Sequence, residues 1–480
     1  MLLLLWVMKM QEIWKSTEEQ YKSIKGAFST EQFGVFLNMY SFEIEDNYLI
    51  AFHEDYHYWQ SIFTPFGHLM WGMNRTTSTE IIEAWLTATA NNPTERIIPA
   101  AGILPTDDKT AILGVSHIWK QYIAKQVANL VVRKNNNSVI SKLLPPDIGP
   151  LLPSITINDQ VHELKGLDIL EGLAKFQEAA LAYIAEERPF QETIDENKLS
   201  PEYYIALKYF VEKVGHDRIT EFPVACELAL CVCDFCMPGQ PGWQSMHPAW
   251  RFLSIVDQMA NSQCFNLVYS DKAAEQYLIY TNSILEACGY MNWSDVWNHA
   301  KAYALKEKTE ITNDMLRAIE FKQRYPWVLA YPFINFAVFH KMAEFRPYYY
   351  TTSDKSGYVV KSEDQGNEVI LENQYQALAN QICGIPSKRC IDTGKIQCGY
   401  SYYGIRRCPY LLDDTCDGYL DRNSNIPGIE MDINGNIVDG CAFDIFLAML
   451  GVRVKDLIIT DISKQINHNL LREMIDKHCK

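Results

Sequence analysis

The chain has 480 residues, of which 48% are hydrophobic and 12% aromatic, and its formal net charge at pH 7 is −16. This composition is typical of a globular protein with a large core, and the length allows two or three domains or one large domain with an appendage. An acidic chain without a basic stripe repels phosphate backbones, so nucleic-acid binding is disfavoured.

The chain starts with an apolar run at residues 1–7. This run is too short to cross a bilayer, and it has neither a basic residue before it nor a small-residue cleavage site after it. The thirteen cysteines of the chain therefore predict free thiols in a reducing compartment. We expect a cytoplasmic protein without a membrane span.

The pentapeptide His53-Glu54-Asp55-Tyr56-His57 lies within an apolar run that predicts a buried helix over about 47–64. Positions i and i+4 of a helix lie on one face, so the two imidazoles could bind one Zn²⁺. Glu54 could then take a proton from a water molecule at the metal. The pattern indicates a zinc peptidase. The alternative is a core helix whose histidines only form hydrogen bonds with their neighbours.

Other metal chemistries fit the sequence less well. Glu54 and His57 also match the E-x-x-H ligand pair of di-iron bundles, but no other histidine has a glutamate three positions before it. The extended metzincin pattern requires a glycine and a third histidine where this chain has Gln60 and Phe63. The remaining class takes its third ligand from a carboxylate on a later helix.

The main candidate for this third ligand is Glu171, which falls inside the apolar stripe of a helix predicted over about 167–185. A carboxylate on a core-facing stripe needs a cation or a hydrogen-bond donor. The other interpretation is a glutamate at the edge of the stripe, in water. Glu83 and Glu80 are alternative third ligands, because their shorter separation from the motif is common in thermolysin-like enzymes.

Residues 53–57 together with Glu171-Gly172-Leu173-Ala174 resemble the gluzincin metallopeptidases. More narrowly, residues 53–60 followed by Thr64 and Gly67 resemble a group of uncharacterised bacterial proteins with an H-E-Y-x-H-x-x-Q-type helix. The resemblance covers about two helices and implies nothing firm about the substrate. It implies His53, His57 and Glu171 as zinc ligands and Glu54 as the general base.

Several further elements are predicted between these motifs and residue 345. A long helix is expected over about 110–134, and a small hairpin around Asn158-Asp159. Ser200-Pro201 starts another helix that Gly215 ends. An apolar run at 219–237 contains four cysteines and reads as a helix in which they act as small hydrophobic residues.

The character of the sequence changes near Arg346, where short strands and scattered cysteines replace helical patterns. We therefore predict a mainly α fold with a minor α+β part. It has a helical, zincin-like metallopeptidase domain at 1–345 and a Cys-rich module at 346–480 that closes with helices at 439–450 and 461–478. Four thiolates could hold a second, structural Zn²⁺ in this module, although a loop-rich appendage with unligated cysteines is the alternative. These four are Cys390, Cys398, Cys408 and Cys416.

The sequence thus predicts a zinc-dependent peptidase that acts on a peptide or protein, with Glu54 as general base. Glu178 or Asp168 could orient a zinc-bound histidine. The alternative function is a catalytically silent or latent zincin-fold protein that binds a protein partner through its C-terminal module. A role in a bacterial conflict or defence system is compatible with either function. During hydrolysis, negative charge develops on the oxygen of the peptide carbonyl. Candidate hydrogen-bond donors to this oxyanion are His216, His247 and Tyr203.

Overall fold

The computed structural model describes residues 47–88, 152–234, 242–307 and 309–352 as long stretches. It also describes shorter pieces at 26–29, 34–37, 96–99, 357–359, 374–375, 378–379, 396–397, 419–420, 430–431, 437–439, 441–450, 452 and 457–460. The helices predicted over 110–134 and 461–478 lie outside the described residues, as do Cys390, Cys398, Cys408 and Cys416.

The described residues are mainly helical, which confirms the mainly α part of the predicted fold class. Two helices carry the predicted site: Asn47–Phe63, here called the HExxH helix, and Gly166–Glu186, the Glu171 helix. Short 3₁₀ turns cover Pro201–Tyr203, His216–Glu221 and Pro332–Ile334. The other α-helices are Pro65–Ala88, Phe190–Thr193, Ile205–Val214, Phe222–Ala229, Trp243–Met246, Pro248–Ala260, Ala273–Ala287, Trp293–Glu307, Glu310–Arg324, Phe336–Met342 and Ala442–Met449.

The strands are short and form one four-stranded sheet and several pairs. In the four-stranded sheet the order is Gly26–Ser29, Gly34–Leu37, Tyr349–Thr352 and Gly357–Val359, and only the central pair is parallel. The two-stranded pairs are Ser154–Ile157 with Gln160–Glu163, Arg96–Pro99 with Leu457–Thr460, Ile396–Gln397 with Tyr419–Leu420, and Glu430–Met431 with Ile437–Asp439.

The HExxH helix is buried along most of its length. Aromatic residues on the face away from the Glu171 helix hold it in place. The Tyr56 hydroxyl donates to the Leu329 carbonyl at 2.5 Å, and Trp59 Nε1 donates to the Phe345 carbonyl at 2.7 Å. Phe52 adds ring contacts on the same side. Since these side chains point toward the segment 329–345, the face that carries the motif is left to pack against the Glu171 helix.

The C-terminal end of the HExxH helix is buried, and its last carbonyl groups have partners. Thr64 Oγ1 donates to the Gln60 carbonyl at 2.6 Å, and a new helix begins at Pro65. A side chain at Gly67 would meet the Ser61 carbonyl oxygen at 2.2 Å, so only glycine fits this turn. The predicted end of the motif helix near 64 is confirmed.

The hairpin predicted around Asn158-Asp159 is confirmed. Both residues have positive φ values, 49° and 60°, as a tight two-residue hairpin turn requires, and asparagine and aspartate tolerate this conformation best after glycine. The hairpin leads directly into the Glu171 helix. The Asp168 carboxylate accepts a hydrogen bond from the Lys165 backbone N–H at 2.7 Å and so caps this helix.

The helix predicted over 219–237 is shorter than expected. It spans Phe222–Ala229, and Cys231 and Cys233 lie beyond its end. Tertiary contacts explain the early stop. The Leu228 carbonyl accepts a hydrogen bond from the Arg251 guanidinium at 3.1 Å, and the Leu230 carbonyl accepts one from the Phe66 backbone at 3.2 Å. The Leu228 carbonyl also accepts from the Cys231 N–H at 3.2 Å, an i to i+3 bond, so neither carbonyl continues the α-helix by a further turn.

Two parallel strand pairs connect residues on either side of position 346, one through Gly34–Leu37 and one through Arg96–Pro99. The division into domains at 345 remains a prediction. Among the described residues, no helix is both long enough and apolar enough to cross a membrane.

Candidate metal centre

Three side chains from the two site helices converge on one point. The Nε2 atoms of His53 and His57 lie 3.1 Å apart, and each lies 3.1 Å from Oε2 of Glu171. In the part of the chain that the structure describes, this is the one cluster of histidine, cysteine and carboxylate groups spaced to hold a metal ion. The predicted triad therefore comes together, with two ligands on the HExxH helix and one on the Glu171 helix.

The spacing of these three atoms fits a tetrahedral ion. Zn²⁺ binds imidazole nitrogen and carboxylate oxygen at about 2.0–2.1 Å, so neighbouring ligands in a tetrahedral site are about 3.3 Å apart. The sides of the observed triangle are 3.1 Å. One ion could therefore contact all three atoms, and a fourth ligand would complete its tetrahedral set.

The far side of each imidazole faces an acceptor. His53 Nδ1 lies 3.0 Å from Oε2 of Glu178, and His57 Nδ1 lies 2.7 Å from Oε1 of Gln60. Both Nδ1 atoms therefore carry hydrogen, and a ring without a second proton directs its Nε2 lone pair at Glu171. Two lone pairs and a carboxylate that meet at 3.1 Å repel one another unless a cation lies among them.

In the metal-free chain a proton can fill this role. Burial opposes a charge on His53, but the hydrogen bonds to Glu171 and Glu178 outweigh it and raise the pKa of His53 to about 10. Burial also works against the charged form of Glu171, yet His57 and His53 hold its pKa far below the usual range. The cluster thus attracts positive charge strongly.

Glu54 follows His53 on the HExxH helix and is 7% exposed. Burial raises the pKa of Glu54 to about 7, although the nearby His53 and His57 oppose this rise. Within the described ranges, no group donates a hydrogen bond to its carboxylate. A carboxylate with a pKa near neutrality and no fixed donor can both take up and release a proton near pH 7.

Of the three predicted oxyanion donors, Tyr203 is the one that lies beside the cluster. Its ring contacts His53 edge-on, with centroids 5.8 Å apart, because the turn Pro201–Tyr203 packs beside Gly172 of the Glu171 helix. Burial, followed by the negative charge of Glu171, raises the pKa of Tyr203 well above its usual value, so the hydroxyl stays protonated. Neither His216 nor His247 belongs to the cluster.

The other predicted site residues have different roles or positions. Glu83 is exposed on the helix Pro65–Ala88 and is not part of the cluster, while the side chain of Glu80 lies outside the described residues. Asp168 caps the Glu171 helix instead of holding a histidine. Of the two predicted orienting carboxylates, Glu178 is the one that contacts an imidazole.

Gln60 is a site residue that the sequence did not reveal. It lies three positions after His57, which is one helical turn, and this spacing was the available signal. Lys175 was also missed. Its Nζ atom lies 2.6 Å from Oε1 of Glu178, on the same helix.

Comparison of the chain with protein-family models, with curated proteins and with solved structures finds no match. A function for the chain therefore follows from the chemistry of its residues alone.

Proposed function

We propose that the chain is a zinc-dependent peptidase of the gluzincin type with a zincin-like core. His53, His57 and Glu171 would bind Zn²⁺, and Glu54 would serve as general base. The observation that carries the proposal is the triangle of two imidazole nitrogens and one carboxylate oxygen with 3.1 Å sides. Nitrogen and oxygen donors in a near-tetrahedral set favour zinc among the common divalent ions.

Bound Zn²⁺ would polarise a peptide carbonyl and lower the pKa of a water molecule. Glu54 accepts the proton of the attacking water and delivers it to the amide nitrogen as the C–N bond breaks. Burial raises the pKa of Glu54, which favours uptake of this proton. The protonated hydroxyl of Tyr203 donates a hydrogen bond to the oxyanion that develops on the carbonyl. Glu178 and Gln60 keep the two imidazoles in position.

The substrate of this activity is a peptide or a protein, and the site of action is the cytoplasm. The described cysteines support this location, because Cys226, Cys231 and Cys233 are free thiols inside or beside the core. The second, structural Zn²⁺ at Cys390, Cys398, Cys408 and Cys416 remains a prediction from the sequence.

Metal analysis tests the ligand set. Purified wild-type chain is expected to hold one equivalent of zinc at this site, and the variant Glu171→Gln is expected to lose it. The matched control is Glu83→Gln, which removes the same charge from an exposed glutamate on the adjacent helix. Loss of zinc from the Glu83 variant together with retention by the Glu171 variant would reverse the assignment.

Peptide cleavage tests the chemistry. A broad peptide library should be cut by the zinc-loaded wild type, and Glu54→Gln should lower kcat by about 10²–10⁴-fold while zinc stays bound. The sequence also allows a silent zincin-fold protein that binds partners. Zinc bound by the wild type without any Glu54-dependent cleavage would favour that binding function over the peptidase.

A further inference from the structure

Gln60 joins the two helices that supply the metal ligands. Its side-chain Nε2 donates to the Leu170 carbonyl at 2.8 Å, and its Oε1 faces His57 Nδ1 at 2.7 Å. Leu170 immediately precedes Glu171 in the chain. One carboxamide therefore contacts the ligand histidine of one helix and the backbone beside the ligand glutamate of the other.

The contact with Leu170 fixes the orientation of this carboxamide. A carbonyl oxygen can only accept, so the group that faces Leu170 must be the NH₂ of Gln60. The oxygen of Gln60 then faces His57 and can only accept from Nδ1–H. His57 is thus held with hydrogen on Nδ1 and with the Nε2 lone pair toward Glu171. The backbone of the Glu171 helix thus sets the His57 tautomer that a metal requires.

Burial makes both contacts of Gln60 hard to replace. Gln60 is 2% exposed, so water cannot take over a lost hydrogen bond without a rearrangement of the core. The residue also adds no charge, whereas Glu178 brings a carboxylate to His53 and is itself paired with Lys175. The two ligand histidines are therefore held by different chemistry, one by a charged pair and the other by a neutral amide.

We propose that Gln60 is a positioning residue for the metal centre, which fixes the His57 tautomer and the distance between His57 and Glu171. This inference rests on the metal site of the proposed function, but not on peptide cleavage. It is tested by metal affinity and by the visible absorption of the Co²⁺-substituted chain. Both of these readouts are independent of enzymatic activity.

Gln177 provides a matched control for Gln60. It is also 2% exposed, and its Nε2 donates to the Ala330 carbonyl at 2.9 Å, but it contacts no ligand. Gln60→Leu and Gln177→Leu thus remove the same kind of buried hydrogen bond. We expect Gln60→Leu to bind Zn²⁺ about 10–100-fold more weakly in competition with a chromophoric chelator. Gln177→Leu is expected to keep the wild-type affinity, even if its thermal stability falls equally.

A second pair of variants covers the case in which Gln60→Leu does not fold. Gln60→Glu and Gln177→Glu each lose the donor to a carbonyl with almost no change in shape. The Co²⁺ spectrum should change in the Gln60 variant, because a charged acceptor then faces His57, and it should stay unchanged in the Gln177 variant.

Wild-type affinity in Gln60→Leu, or a wild-type Co²⁺ spectrum in Gln60→Glu, would overturn the inference while peptide cleavage by the wild type could still stand. Conversely, a wild type that binds Zn²⁺ without cleaving peptides would end the peptidase proposal alone. A wild type that binds neither ion at this site would overturn both.

Discussion

His53 Nδ1 lies 3.0 Å from Oε2 of Glu178, and Glu178 lies about two turns after Glu171 on the same helix. One helix therefore supplies both a ligand carboxylate and the carboxylate that holds a ligand histidine. Burial opposes the charged form of Glu178, but its hydrogen bond with His53 and its ion pair with Lys175 keep its pKa below the usual value. The Glu171 helix thus fixes the position of His53 from two sides.

Glu178→Ala should weaken zinc binding by about 10–100-fold, because removal of an outer-shell acceptor frees the His53 ring and its tautomer. Glu178→Gln should have a smaller effect, since its amide oxygen can still accept from Nδ1. Chelator competition measures both values. The exposed Glu192 provides a control, and Glu192→Ala should bind zinc as the wild type does. Equal affinity in the Glu178→Ala variant would remove Glu178 from the site.

Tyr203→Phe should lower kcat about 10²–10³-fold, because it removes the hydroxyl that we propose as donor to the developing oxyanion. The zinc content should not change, since the tyrosine contacts His53 through its ring and not through its hydroxyl. Steady-state kinetics and metal analysis of the same preparation check the two halves of the prediction. A loss of zinc in parallel with the loss of activity would instead assign Tyr203 a packing role.

The sequence predicts those parts of the site that depend only on the geometry and polarity of a single helix. The pairing of His53 with His57 follows from the i, i+4 geometry of a helix. Glu171 stands out because a carboxylate inside an apolar stripe needs a partner. The choice between Glu171 and Glu83 depends on which helix packs against the motif, and sequence separation alone would have favoured Glu83.

The contacts that the sequence did not predict depend on tertiary packing. The sequence gives Gln60 no predicted role at the metal, since its bond to the Leu170 carbonyl requires the two site helices to be adjacent. The same reason explains the helix at Phe222–Ala229, whose end is set by Arg251 and Phe66 from other elements. Propensity extends a helix through apolar residues, but competing tertiary acceptors and donors decide where it stops.

A buried ion pair beneath the HExxH helix gives a prediction about stability. Lys322 Nζ lies 2.6 Å from Oε1 of Glu227 and donates to the Phe63 carbonyl at the end of this helix, at 3.2 Å. Both side chains are at most 1% exposed. Lys322→Met leaves the Glu227 carboxylate buried without its cation, which should cost about 3–5 kcal/mol in the free energy of unfolding.

The double variant Lys322→Met/Glu227→Gln checks the cause of this loss. The introduced glutamine side chain would carry no charge, and its amide oxygen could still accept from the Tyr277 hydroxyl that donates to Glu227 in the wild type. We expect the double variant to be more stable than Lys322→Met alone in urea unfolding. A double variant that is less stable than the single one would show that the charge on Glu227 is not the cause.

His68 gives a pH dependence of stability with a defined direction. It is 2% exposed, and its Nε2 lies 2.6 Å from the Ile62 carbonyl. Burial, with a smaller contribution from the nearby Lys322, lowers the pKa of His68 to about 4, although the hydrogen bond to Ile62 opposes the shift. An unfolded histidine has a pKa of about 6.5. Between about pH 6.5 and 4, His68 therefore binds a proton in the unfolded chain but not in the folded chain. Above about pH 6.5 the burial of His68 therefore costs no stability. As the pH drops, the free energy of unfolding falls because of His68, by about 2 kcal/mol at pH 5.

His68→Gln isolates this contribution, because an amide can still donate to the Ile62 carbonyl but does not titrate. Urea unfolding at pH 7.5 and pH 5 should show a smaller loss of stability on acidification in the variant than in the wild type, by about 2 kcal/mol. Carboxylates elsewhere titrate equally in both chains, so they cancel in this difference. An identical loss in the two chains would mean that His68 takes up its proton in the folded state as readily as in the unfolded one, and its burial beside Lys322 would then carry no electrostatic cost.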